Sequence, residues 1–336
     1  MAERSIDVAQ GKSLASKFLR WEWLLVLIFI AVNIVNTRLS PYYLSLDTFL
    51  GTPANFLDKA FLVLPMTFVI ILGNIDISVA SNVALSAVIM ATTFNMGLPL
   101  PAAMALCLLV STLAGWFNGF LLTRFKELSA VIVTLITMII YRGIAYMILQ
   151  DQAAGNFPDW FSFLGWGNIG PFPFILLVFI LCAIAFGVLL HGTAFGRKIF
   201  AMGNNALTAR YSGVRTDSVI QTVSALTGLM AGFTAIFLSS RMGSTRPNVA
   251  MGYELDVIAM VVLGGVSTSG GKGTIAGPLL AIFIIGFLNY GLGLVNVQAQ
   301  VLLIIVGLLL ILSVLVLNVR FSGRHRRPAL GAGREK

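Results

Sequence analysis

Charge is what this sequence has least of: Asp, Glu, Lys and Arg make up 10% of its 336 residues, against roughly 25% in an ordinary soluble domain. With 58% hydrophobic residues and a mean hydropathy of +0.93, there is too little polar surface to coat a water-exposed globule. A soluble globular domain is excluded, and the solvent must be lipid. Cysteine is nearly absent as well. Cys107 and Cys182 each lie inside an apolar stretch, so neither a disulfide framework nor a paired metal motif is on offer, and both read as small buried hydrophobes. No His/Asp/Glu constellation or nucleophile motif occurs, which removes the catalytic cluster an integral-membrane enzyme needs. The formal charge of +9 invites a nucleic-acid reading. The basic residues, however, are scattered along the ends of apolar runs, and that pattern orients a membrane protein.

What the sequence does have is long uncharged stretches between Trp21 and Asn318, several near the ~20 residues that cross a hydrocarbon core of roughly 30 Å. Hydropathy predicts an all-α polytopic bundle with spans at 21–37, 60–74, 78–95, 102–122, 130–149, 172–191, 218–239, 255–269, 275–294 and 299–318, ten crossings in all. Arg4, Lys12, Lys17 and Arg20 resemble a signal n-region, but no small-x-small cleavage site follows Ile30, so a retained first span is expected. With both termini cytoplasmic, the inside segments gather Arg124, Lys126, Arg197, Lys198, Arg210, Arg215, Lys272 and the Arg-rich tail. The outside loops then hold only Arg38, Lys59, Arg241 and Arg246, an asymmetry that obeys the positive-inside rule. The expected organisation is a cytoplasmic segment 1–20, a single transmembrane domain 21–319 with an inside loop at 192–217, and a basic cytoplasmic tail 320–336 suited to lipid headgroups. Residues 151–171 form the largest outside loop, where Trp160 and Trp166 suit an interfacial belt.

Two spans are interrupted by residues that helices in lipid avoid. Gly73, Asn74, Asp76 and Ser78 break the chain after the second span, and Gly264, Gly265, Gly270, Gly271 and Gly273 break the eighth. Irregular backbone at that depth must be buried or face water, so broken helices are expected near 73–78 and 264–273. Few charges fall in apolar surroundings. Asp76 either accepts freed backbone N–H groups at its break or acts in transport. Arg142 either snorkels outward or pairs with an acid on a neighbouring helix. Glu254 and Asp256, at the outer end of the eighth span near Arg246, make a rim salt bridge or touch substrate. His191 reads as a solvated end-cap.

The most structured soluble segment is Gly196 to Val214. Asn205 caps a short helix over Ala206 to Tyr211 and Gly213 ends it; Leu207 and Tyr211, four apart, share an apolar edge beside Arg210 and Arg215. Such a knob fits a groove on a cytoplasmic partner, or lies on lipid headgroups. The chain lacks an engine of its own. A P-loop needs glycine five positions before its Gly-Lys pair, but for Gly271-Lys272 that position is Val266, and Gly273 stands where Ser or Thr is required. A loose dinucleotide fingerprint at Gly271, Gly273 and Ala276 lacks its acidic partner, since no acid occurs between Asp256 and Glu335. An ion-coupled carrier wants several ionisable groups near the midplane, where Asp76 stands nearly alone; that class ranks second.

Three segments resemble the ribose-type sugar permeases of ABC importers. They are Gly73-Asn74-Ile75-Asp76-Ile77-Ser78-Val79; the loop from Gly196-Arg197 through Gly203-Asn204 to Ala209-Arg210-Tyr211-Ser212-Gly213; and Gly252-Tyr253-Glu254-Leu255-Asp256-Val257-Ile258-Ala259 running into Gly264-Gly265 and Gly270-Gly271-Lys272-Gly273. Arg142-Gly143 resembles a further pair. Asn74, Ala80 and Asn204 depart from the family by standing where glycine is usual. The resemblance implies a type II permease fold in the bacterial inner membrane. It also implies a second permease subunit, identical or paralogous, a cytoplasmic ATPase subunit that binds the ATP and Mg this chain does not, and a periplasmic or extracellular sugar-binding protein. The loop around Arg197, Gly203, Asn204, Asn205 and Ala209 to Gly213 would then be the coupling element that meets the ATPase. Within the family, Thr245-Arg246-Pro247-Asn248 leans towards subunits for rhamnose or the sugar-like signal autoinducer-2; a branched-chain amino acid permease is the alternative.

Overall fold

The computed structural model describes residues 21–298 and, beyond them, 300, 301, 304, 305, 307, 308 and 311. The segment 1–20, most of the predicted span 299–318 and the tail 320–336 lie outside the described residues.

The described chain is an all-α polytopic bundle. Its helices are α1 (Trp21–Leu39), α2 (Leu46–Gly51) running into a 3-10 turn (Thr52–Asn55), α3 (Leu57–Ile71), α4 (Val79–Asn95), α5 (Leu100–Arg124), α6 (Ala130–Leu149), α7 (Asp159–Trp166), α8 (Phe174–His191), α9 (Ala194–Asn204), α10 (Ala206–Tyr211), α11 (Thr216–Met242), α12 (Tyr253–Leu263) and α13 (Ala276–Leu294). Nine of these coincide with predicted spans. Among the described residues six are long and apolar enough to cross a membrane, and α3 makes a seventh when joined to the segment before it, from which it is bent by 67°. In lipid a spanning backbone must satisfy its own N–H and C=O groups, which selects helices. The only extended pairings among the described residues are two-residue ribbons, Ala154–Gly155 against Ser244–Thr245 and Asn168–Ile169 against Phe172–Pro173.

The eighth span is shorter than hydropathy predicts. Helix α12 stops at Leu263, and the chain to Ile275 is irregular, with left-handed Gly265, Gly270 and Gly271. Apolar residues alone do not extend a helix through consecutive glycines at positive φ. Gly73, at φ +81, likewise ends the α3 segment.

Helix α3 is buried on nearly every side and α11 over most of its length, whereas α5, α6 and α8 each bury one narrow face. Phe61 of α3 stacks on Phe237 of α11 at 5.1 Å and meets Phe179 of α8 edge-on at 5.6 Å. Where α5 crosses α11 the backbones touch. A Cβ on Gly115 would lie 2.3 Å from the Ser224 carbonyl oxygen, and one on Gly228 2.2 Å from that of Ser111. Without a hydrophobic drive between helices in lipid, such small-residue contacts hold them together.

Contacts sort the loops into two ends, as the predicted alternation of spans requires. At one end Lys126, after α5, pairs with Asp217 at the start of α11 at 3.1 Å. At the other, Asp58 of α3 meets Arg241 of α11, and the ribbon joins residues 154–155 to 244–245.

Candidate functional site

At the Lys126–Asp217 end, α9 and α10 form a two-helix hook. Thr193 starts α9 by accepting the N–H groups of Phe195 and Gly196 on its Oγ1, and Gly196 is pressed against the Leu190 carbonyl. Ile199 and Met202 face inward while Arg197 and Lys198 face out. Asn205 then adopts an extended backbone, and its Oδ1 accepts the Thr208 N–H at 2.9 Å, the geometry of an N-cap. Ala209 is the buried anchor of α10. Ser212 donates its hydroxyl to the Thr208 carbonyl, and left-handed Gly213 turns the chain so that Val214 N–H reaches the Ala209 carbonyl at 3.1 Å. The outward side carries Arg210 with Leu207 at 62% and Tyr211 at 85% exposure, so the apolar edge is presented and not packed inward.

The hook ends against both helix breaks. Gly203, in the last turn of α9, lies so close to the α3 terminus that a Cβ there would be 1.9 Å from the Ile71 carbonyl oxygen and 2.5 Å from the Gly271 nitrogen. Gly271 N–H donates to that same Ile71 carbonyl at 2.8 Å. Asn204 donates through Nδ2 to the Phe200 carbonyl and, at 3.4 Å, to that of Gly271. Gly270 sits against the Gly203 carbonyl and the Gly73 nitrogen. Gly265 faces the ring of Trp21, whose Nε1 donates to the Leu263 carbonyl at 2.9 Å, and Gly264 packs on the start of α13 at Gly277 and Pro278. Beside this junction, Gly73, Asn74, Leu207 and Arg210 help to line a cleft of about 510 Å³.

Asp76 lies deeper and is buried. One carboxylate oxygen accepts both the Ser78 N–H (2.9 Å) and the Ser78 hydroxyl (2.7 Å). The Ser78 hydroxyl in turn accepts from Asn118 Nδ2 of α5 at 2.7 Å, and Asn118 Oδ1 accepts from the Tyr141 hydroxyl of α6 at 2.9 Å. The break before α4 is thereby tied to two neighbouring helices through a chain of buried polar groups.

At the opposite end the expected partners differ. Arg142 donates its guanidinium to the carbonyls of Pro247 (2.6 Å) and Val249 (2.8 Å), clamping the loop before α12, and it also interacts electrostatically with the Glu254 carboxylate in the first turn of α12. Asp256 pairs with Lys59 at 2.5 Å, not with Arg246. Glu254 keeps one oxygen buried without a hydrogen-bond partner. Asp58, singled out by no motif, is buried, ion-paired with Arg241 at 3.0 Å, and accepts the Tyr253 hydroxyl at 3.1 Å. The signal for it was an acid in the first turn of an apolar helix, where a buried charge demands a cation. His191 is exposed at the end of α8, its ring 6.2 Å from that of Phe200.

Residues 54–314 match the family model described as branched-chain amino acid transport system, permease component. The autoinducer 2 import system permease proteins of Salmonella paratyphi A and Salmonella typhimurium are each 32% identical over 321 residues, covering 91% of this chain and 94% of theirs. That of Escherichia coli is 31% identical over 300 residues, 88% of this chain and 91% of its own. No solved structure matches the chain.

Proposed function

The chain belongs to the family of branched-chain amino acid transport system permease components, and from that premise we propose that it is the translocating subunit of an ABC importer for a sugar or sugar-like solute, driven by a separate ATPase. One observation carries the reading: a capped helix, α10, presents Leu207, Arg210 and Tyr211 outward at the basic end of a chain without an ATP motif. A helix this short is marginal alone. Here it is held by Asn205, by buried Ala209 and by the Gly213 turn, which suits a rigid peg in a partner's groove. ATP and Mg then belong to that partner, and the end carrying α10 is cytoplasmic by its Arg and Lys content. The localisation proposed is the bacterial inner membrane with both termini inside.

A sugar-like solute is favoured over a branched-chain amino acid because the relatives matched over nine-tenths of the chain are named for autoinducer 2 import. Recognition would fall largely to a periplasmic binding protein, and a second permease subunit would complete the pathway. Replacing Arg210 with Glu, or Gly213 with Val, tests the coupling. Both variants should accumulate in the membrane and lose uptake of autoinducer 2 or rhamnose, whichever the wild type carries. Normal uptake by both would refute the assignment of α10.

A further inference from the structure

We infer that the stroke of α10 is delivered to the two helix breaks through the glycine junction at Gly203, rather than to the spans that flank the hook in sequence; this rests on the coupling reading above. Three backbones meet there without side chains between them: the end of α9 at Gly203, the end of α3 at Ile71, and the loop after α12 at Gly270–Gly271. With a Cβ on Gly203 predicted at 1.9 Å from one backbone atom and 2.5 Å from another, there is no compressible layer to absorb a displacement, so α9 cannot advance without pushing both neighbours. Gly271 N–H bonds across to Ile71 and not within its own segment, and Asn204 adds a second cross-link to the Gly271 carbonyl. The two breaks are therefore joined to each other as well as to α9.

The alternative route, through α11, meets a stiffer element. Helix α11 is seated on α5 along the Gly115–Gly228 contact and on α3 through Phe61 and Phe237. The segments 72–78 and 264–275 lack a continuous helical ladder, and irregular segments are where a packed bundle bends. Gly203 and Asn204 thus act as positioning residues that turn a movement at the ATPase into a joint displacement of the two breaks, a two-state shift of packed elements. Asp76 marks the far side of the first break, which Ser78 ties to Asn118 of α5 and Tyr141 of α6 and which Thr134 of α6 holds at Ile75 and Ile77, so the first break bends between Gly73 and Ile75.

Spin labels test this in the whole complex. With Cys107 and Cys182 replaced by alanine, labels go on exposed Arg197→Cys of α9, Thr268→Cys of the second break and Leu135→Cys of α6, taken in pairs. Distances are measured without nucleotide and with ATP trapped by vanadate. The expected result is an unchanged 197–268 distance while 197–135 and 268–135 both shift. A 197–268 distance that changes as much as the others, or no shift relative to α6, overturns the inference. In parallel, Gly203→Ala should bind the ATPase and hydrolyse ATP but lose about tenfold or more in uptake per ATP. Unchanged uptake per ATP also overturns it, and if that variant fails to accumulate the distances decide. A wild-type chain that captures no ATPase overturns the functional reading and this inference together; capture with the wrong distances overturns this inference alone.

Discussion

At the scale of single residues, the buried acids Asp58 and Asp76 are each bound to a specific partner, and their removal should act through what is left behind. Replacing Asp58 with Ala leaves the Arg241 guanidinium, largely shielded, without its acid and with the Asn55 carbonyl as its remaining acceptor, which costs about 3–5 kcal/mol when one half of a buried pair is lost. The unfolding midpoint in detergent should fall accordingly, and an unchanged midpoint would mean that Arg241 finds water. Asp76→Ala strands two donors of Ser78, at about 1–3 kcal/mol each, whereas Asp76→Asn keeps an acceptor oxygen and should accumulate normally. If Asp76→Asn accumulates yet loses uptake, the carboxylate charge itself acts in transport. Asp76 was legible in the sequence because an acid between Ile75 and Ile77 has few places to go. Arg142 was not: its partners are the carbonyls of Pro247 and Val249, more than a hundred residues away, and a backbone acceptor leaves no mark on sequence.

At the scale of elements, caps and close approaches set what each helix tolerates. The Asn205 cap is worth about 1 kcal/mol, and because α10 is only six residues long its loss should appear first as weaker ATPase capture. Asn205→Ala is therefore expected to lower capture several-fold while leaving accumulation intact; undiminished capture would show that α10 is held by packing alone. Gly115→Val would drive a side chain into Ser224 and Gly228, and the protein should fail to accumulate, as judged by membrane blotting. Legibility differed sharply among these elements. The spans showed themselves through uninterrupted apolar runs, and α10 through Asn205 and Gly213, since each follows from local chemistry. The amphipathic α9 and the bent segment before α3 did not, because each is short and mixes apolar with polar residues. The meeting of Gly203 with Ile71 and Gly271 is a tertiary event that links segments separated by the whole bundle. Glycine at 203 announced that a side chain was excluded, not what excluded it.

At the scale of the whole molecule, the chain is arranged between two ends with different bonding. One is pinned by ion pairs and the Arg142 clamp, at Asp58–Arg241, Lys59–Asp256 and the loop to Val249. The other is assembled from glycine-to-backbone contacts around Gly203, with the exposed ion pair Lys126–Asp217 nearby, and an exposed pair holds little, about 0–1 kcal/mol. A bundle fixed at one end and jointed at the other can transmit a push applied at the jointed end, and α10 stands there. The most direct measurement is co-purification of the tagged chain from its native membrane, with and without residues 204–213. The account predicts a Walker-motif ATPase with the intact chain and its loss with the deletion, both proteins inserting equally. An intact chain that comes alone and shows ion-dependent uptake after reconstitution would contradict it.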